Sequence, residues 1–204
     1  MINTETQSHD LFLDFYEDNH ITITDFNQEV YNEFSDKLYK SIGKGNNLFV
    51  IDINSYGGEV YTLMGMLSII DSVKDKITIC THTNTKAMSC GALLLASGTK
   101  GYRFASKEAT ILIHEVSSFS MGKTSDMKNE IEHINKLNDT FIFKILSKYC
   151  DQSKKFFKDK LKRRNLDMYI TSKKAKKWGL IDDIGVPFIT LEHELKSQVN
   201  LIKK

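Results

Sequence analysis

Hydrophobic and polar positions change period repeatedly along the chain, and each change marks an element. His20 to Phe26 (HITITDF) alternates apolar and polar residues, the period of a short half-buried strand. Val30, Phe34, Leu38 and Ile42 then recur at helical spacing and form one stripe of an amphipathic helix. Gly43 to Asn47 (GKGNN) breaks it, and the β-branched run Leu48 to Asn54 (LFVIDIN) predicts a buried strand. After the turn Ser55 to Gly58, Val60, Leu63, Met64 and Leu67 predict a helix ending near Lys74, followed by a strand over Lys76 to His82. The stretch Lys86 to Gly98 (KAMSCGALLLASG) opens another helix at Ser89, stopped by Gly98, and Ala109 to Glu115 predicts a third buried strand. Strands alternating with helices require crossover connections, so the pattern implies an α/β fold with a parallel sheet.

The remaining length is mainly helical. Met127, Ile131, Ile134, Leu137, Phe141 and Ile145 line one side of a long helix over residues 125–149. Residues 151–166 read as a basic helix with Phe156, Phe157 and Leu161 on its buried side. Ser172 to Gly185 reads as a short helix stopped by Gly179 and then a strand, and residues 1–10 read as a loose tail. No internal repeat is visible.

Composition narrows the function classes. A chain of 204 residues fits one domain, and a net charge of +2 gives no global basic field for nucleic acid. The basic run Lys154 to Arg164 reads as a solvated helix face. No apolar run is long enough to cross a membrane, and the polar N-terminus lacks the features of a secretion signal. The three cysteines, Cys80, Cys90 and Cys150, form no CxxC pair, so the expected setting is soluble and reducing: the cytoplasm, or an organellar stroma or matrix. No metal site and no cofactor are expected; GKGNN precedes a strand, unlike a phosphate loop, and IHEVSS lacks the second histidine of a zinc hydrolase.

One hydroxyl stands out. Ser89 sits at the mouth of an apolar helix, where serine commonly serves as an N-cap. The same position suits a nucleophile, because the first amides of a helix have no intrahelical acceptor and stabilise an oxyanion. A serine nucleophile needs a base. Of the six histidines, His9, His20, His133 and His193 stand in polar or surface contexts, and His82 near a strand end reads as solvated. His114 ends the buried strand TILIH, and strand C-termini in a parallel sheet share one edge with the helix N-termini that follow. The orienting carboxylate stays open among Asp167, Asp71 and Asp182. The paired glycines of NSYGG let backbone approach a ligand, so the Gly58 and Cys90 amides are the candidate oxyanion hole; the plainer reading is a β-to-α turn.

These segments, in order, resemble the proteolytic subunit of the Clp ATP-dependent protease family. INSYGG resembles I-N-S-P-G-G, AMSCGALLLASGTKGYRFA resembles A-S-M-G-A-x-L-L-x-x-G-x-x-G-x-R-x-A, and ILIHE resembles M-I-H-Q. GKTSD resembles the start of the family's handle helix, and DMYITSKKAKKWGLID resembles D-x-F-x-S-A-x-E-A-x-x-Y-G-L-I-D. The resemblance implies a ClpP/crotonase-like spiral of β-α-β units with a protruding handle. One domain is expected over 1–204, with a tail over 1–18 and the handle over 115–150. It implies Ser89 as nucleophile, His114 as general base, Asp167 as the aspartate, and Gly58 and Cys90 as oxyanion donors.

For partners it implies a polypeptide substrate, heptameric rings in one or two layers and an AAA+ unfoldase, with no nucleic acid and no membrane. Tyr56 replaces the family proline, Glu115 the usual glutamine and Leu166 a common arginine. Tyr56 and Leu166 keep a second reading, a non-catalytic ring subunit. A crotonase-like acyl-CoA enzyme lacks a need for the triad, and a Ser/Lys peptidase would use Lys86 as base.

Overall fold

The computed structural model describes residues 16–117, 121–162 and 167–188. The expected tail over residues 1–10, His9, His193 and Leu166 lie outside them. The strands are β1 (His20–Ile23), β2 (Leu48–Ile53), β3 (Thr78–Thr83), β4 (Lys86–Met88), β5 (Arg103–Ala105), β6 (Thr110–Ile113), β7 (Met168–Ile170) and β8 (Asp183–Ile184). The helices are α1 (Gln28–Gly43), α2 (Val60–Val73), α3 (Cys90–Ala96), α4 (Thr124–Leu137), α5 (Phe143–Tyr149), α6 (Lys154–Lys162) and α7 (Ser172–Trp178).

The fold is α/β, as the pattern predicts. Five strands form a parallel sheet in the order β1-β2-β3-β5-β8. Its strand period sends Ile21, Ile23, Phe49, Ile51, Ile53 and Ile79 to one face, where all are buried. The α1 stripe meets that face: Phe34 stands edge-on to Phe49, with ring centroids 6.3 Å apart, and Leu38 is fully buried beside it in the same core. Burying each such side chain stabilises the fold by about 1.5–3 kcal/mol. Asn27 starts α1 by accepting the Val30 amide on its side-chain oxygen at 3.0 Å.

The expectation of one sheet needs correction. The third buried run, β6, belongs to a separate three-stranded sheet, β4-β6-β7. In it β4 and β6 are parallel, with Met88 opposite Leu112, while β6 and β7 are antiparallel, with Ile113 opposite Met168. Strands β4, β5 and β7 have three residues each, too few for an alternation to register. The two sheets are tied where the Ser55 amide donates to the Lys86 carbonyl (3.1 Å) and the Met88 amide donates to the Ser55 carbonyl (3.0 Å).

The long helix is also divided. A π-helical turn, Asn138–Ile142, separates α4 from α5. It advances the helix phase, so Ile142, Phe143 and Leu146 enter the core while no residue of α4 is buried. Asn138, 6% exposed, accepts the Val116 amide on Oδ1 at 2.8 Å and anchors the segment after β6.

A buried ionic knot locks the α3 end of the molecule. Arg103 on β5 is only 2% exposed. It donates from Nε and Nη2 to the two carboxylate oxygens of Asp182 (2.9 and 2.6 Å) and from Nη1 to the carbonyls of Ala96 (3.2 Å) and Tyr149 (2.7 Å). The last residues of α3 and α5 are thereby joined to the loop before β8.

Candidate active site

Ser89 links β4 to α3 in a conformation that capping does not explain. Its backbone has φ 54° and ψ −118°, and its side chain makes no capping hydrogen bond to the helix it precedes. Among the described residues no other non-glycine residue has positive φ. Such a conformation costs about 1–3 kcal/mol and persists only where its surroundings impose it. Here the Ser89 amide donates to the Leu112 carbonyl at 2.9 Å, and the Ser89 carbonyl accepts the Ala92 amide at 3.0 Å. The backbone is pinned on both sides, and the hydroxyl is left for another role.

Two glycines make room for that turn. A Cβ on Gly57 (φ 113°) would lie 2.6 Å from Cβ of Ser89, and one on Gly58 (φ 155°) would lie 2.7 Å from the Phe26 carbonyl oxygen. Gly57→Ala is therefore expected to push the serine aside and lower both kcat and thermal stability, the latter by about 1–3 kcal/mol. Activity and melting measurements on the one variant check both effects.

Ser89 and His114 line one cleft, open to solvent, together with Gly58, Cys90, Glu115 and Ile142. The small sheet explains their meeting. Ser89 follows β4 and His114 follows β6, and these strands are parallel neighbours. Because β7 runs antiparallel to β6, Asp167 just before it stands at the same edge; one step beyond the Ile113–Met168 pair brings His114 opposite Asp167. Among the described residues no hydrogen bond joins the three side chains, and Asp167 is exposed.

The other carboxylates left open by the sequence are engaged elsewhere. Asp182 holds Arg103, and Asp71 pairs with Lys148 and accepts from the Tyr149 hydroxyl at 3.0 Å. Lys86 is committed as well. Its ammonium donates to Asn54 Oδ1 at 2.7 Å and lies 4.4 Å from the centre of the exposed Tyr56 ring, a cation–π contact.

Cys90, next to Ser89, is 4% exposed and donates its thiol to the Gly58 carbonyl at 3.4 Å. Burial pushes its pKa up to about 11, against smaller opposing hydrogen bonds from Gly58 and Ser89. At neutral pH it stays a thiol, which disfavours it as a nucleophile beside the serine. The Cys90 amide opens α3 and has no acceptor within the helix.

A family model of the Clp protease matches residues 3–187. The chain belongs to the Clp protease family. Its α/β arrangement of a parallel sheet with packed helices is consistent with the Clp proteolytic fold, and membership supports a peptidase. Among the described residues no helix is long and apolar enough to cross a membrane.

Two contributions to this Clp-type cleft escape a sequence reading. Asn138 holds the chain just beyond His114, and Asn54 holds Lys86 just before Ser89. Each asparagine lies far along the chain from the segment it holds, and asparagine is too common to signal such a contact. His82 also departs from its expected solvated setting, because it is 8% exposed on β3.

Proposed function

We propose that this Clp-family chain is a serine endopeptidase subunit acting on unfolded polypeptide. The observation that carries the proposal is the strained, non-capping Ser89 sharing a cleft with His114. Ser89 Oγ attacks the peptide carbonyl carbon as His114 takes its proton, and the carbonyl π electrons move to oxygen. Amides of Gly58 and Cys90 hold that oxyanion. Collapse breaks the C–N bond, and His114 passes the proton to the departing amine. Water, deprotonated by His114, then attacks the acyl-serine and releases the carboxylate product with Ser89 restored. Asp167 orients the imidazole and stabilises its charged form once the carboxylate swings to it. This chemistry uses only side chains and backbone amides.

We further propose a single domain whose residues 115–150 act as the handle between stacked heptameric rings. Support comes from α4, whose apolar stripe includes Ile131, 58% exposed. An AAA+ unfoldase partner would feed the chamber and spend ATP. The second reading, a non-catalytic ring subunit, draws on the absence of hydrogen bonds among the three side chains.

Fluorophosphonate labelling separates the two. Covalent addition at Ser89, lost in Ser89→Ala and suppressed in His114→Ala, is the expected result. An unlabelled wild-type ring would favour the non-catalytic subunit.

A further inference from the structure

The five-stranded sheet has a second face, and three of its residues converge there. His20 on β1, Asp52 on β2 and His82 on β3 all point away from the isoleucine-rich face, because each is out of phase with Ile21, Ile51 and Ile79. Asp52 lies directly opposite His82 in the β2–β3 register and opposite Thr22 in the β1–β2 register, so His20 stands diagonally across from it. Each of the three offers one ligand atom, and these atoms lie within 4.8 Å of one another.

The electrostatics of the group are unfinished. Among the described residues, three buried side-chain polar atoms have no hydrogen-bond partner, and two of them are Asp52 Oδ1 and His82 Nδ1. They face each other at 3.5 Å, too far for the bond that either could make. His82 is more than nine-tenths buried, so solvent does not satisfy it readily. The spacing has a direct chemical reading. Ligands bound tetrahedrally at about 2.1 Å stand about 3.4 Å apart.

We infer that His20, Asp52 and His82 form a binding site for one divalent transition-metal ion of the zinc class. Two imidazoles and a carboxylate are a donor set for zinc rather than for calcium or magnesium, which favour oxygen. The half-buried His20 swings in to complete the set, its ring steadied by the Tyr16 hydroxyl 3.1 Å from Nε2. Solvent takes the fourth position. The ion joins three adjacent strands on the face opposite the core, so it stiffens the sheet from the side that no isoleucine packs. A sequence scan for ligand spacing misses the site, because its ligands come from three strands separated by two helices. The inference is independent of the peptidase reading.

The test uses the full-length, untagged chain after chelator treatment, titrated with Zn²⁺ by calorimetry and followed by thermal melting. Expected are one tight site per chain, with Kd of about micromolar or below, and a rise in Tm that grows with free Zn²⁺. Co²⁺ in place of Zn²⁺ should give the visible band of tetrahedral coordination, displaced by Zn²⁺. Asp52→Asn and His20→Asn should each weaken binding at least about tenfold. Absence of the Co²⁺ band in the wild-type chain, or equal Zn²⁺ affinity in both variants and wild type, would overturn the inference; the wild-type spectrum decides even where a variant fails to fold.

Discussion

Ser89→Ala is expected to lower kcat for peptide hydrolysis by about 10³-fold or more while leaving KM and particle mass nearly unchanged. The side chain is half-buried, its conformation is set by backbone contacts to Leu112 and Ala92, and its hydroxyl does not cap the helix that it precedes. Removing Oγ thus takes away the proposed reacting atom and its contact with the Cys90 thiol, but no helix cap and no backbone contact. His114→Ala should cost a similar factor, and the double variant should be little worse than either single one, because a nucleophile and its base, the roles proposed for these two residues, act as a unit. Asp167→Asn should cost about 10²–10⁴-fold through the imidazole's tautomer and orientation. Steady-state kinetics with a fluorogenic peptide, with particle mass recorded for each variant, checks all four. Equal rates for wild type and Ser89→Ala would remove the serine from the chemistry.

Asp182→Asn is expected to destabilise the fold by about 3–5 kcal/mol, since it strips the counter-charge from a buried guanidinium. Arg103 keeps its bonds to the Ala96 and Tyr149 carbonyls but loses the carboxylate that neutralises it. The amides of Gly101 and Arg103, which donate to Asp182 Oδ2 at 2.7 and 3.1 Å, lose their charged acceptor. The same pair sets an acid limit. Burial alone would raise the Asp182 pKa, but the Arg103 hydrogen bonds and charge, with the two amides, outweigh it and hold the carboxyl below its ordinary value.

A depressed native pKa gives stability that is complete above the unfolded value, near pH ~4, and is lost as pH falls through the native value. Below about pH 4 the wild type should therefore lose this contribution, whereas Asp182→Asn should lack that part of the acid dependence. Denaturant melts between neutral pH and pH ~3 measure both the gap and its closing. A gap that persists unchanged into acid would show that the ion pair is not its source.

Local chemistry is what a linear chain displays well. The α1 stripe, the isoleucine-rich runs of β2 and β3, the breaker at Gly43 to Asn47 and the stop at Gly179 all depend on near neighbours. They could be read without coordinates, as could the α/β class and the ordered motifs of the Clp family. The candidate residues Ser89 and His114 were legible for the same reason, each marking the end of a strongly apolar segment.

What the fold alone decided depends on pairing between distant segments. Three-residue strands carry too little pattern to announce themselves, so only tertiary packing shows that β6 leaves the main sheet to join β4 and β7. That antiparallel partner brings Asp167 to the edge where Ser89 and His114 stand, while Arg103 and Lys148 engage the rival aspartates. The π-helical turn that buries Phe143 and leaves α4 uncovered is likewise a choice of packing over periodicity. Sequence determines which stretches will be helix or strand, because those preferences are local; which side chains meet is settled only when the sheets close, because register and strand direction are collective.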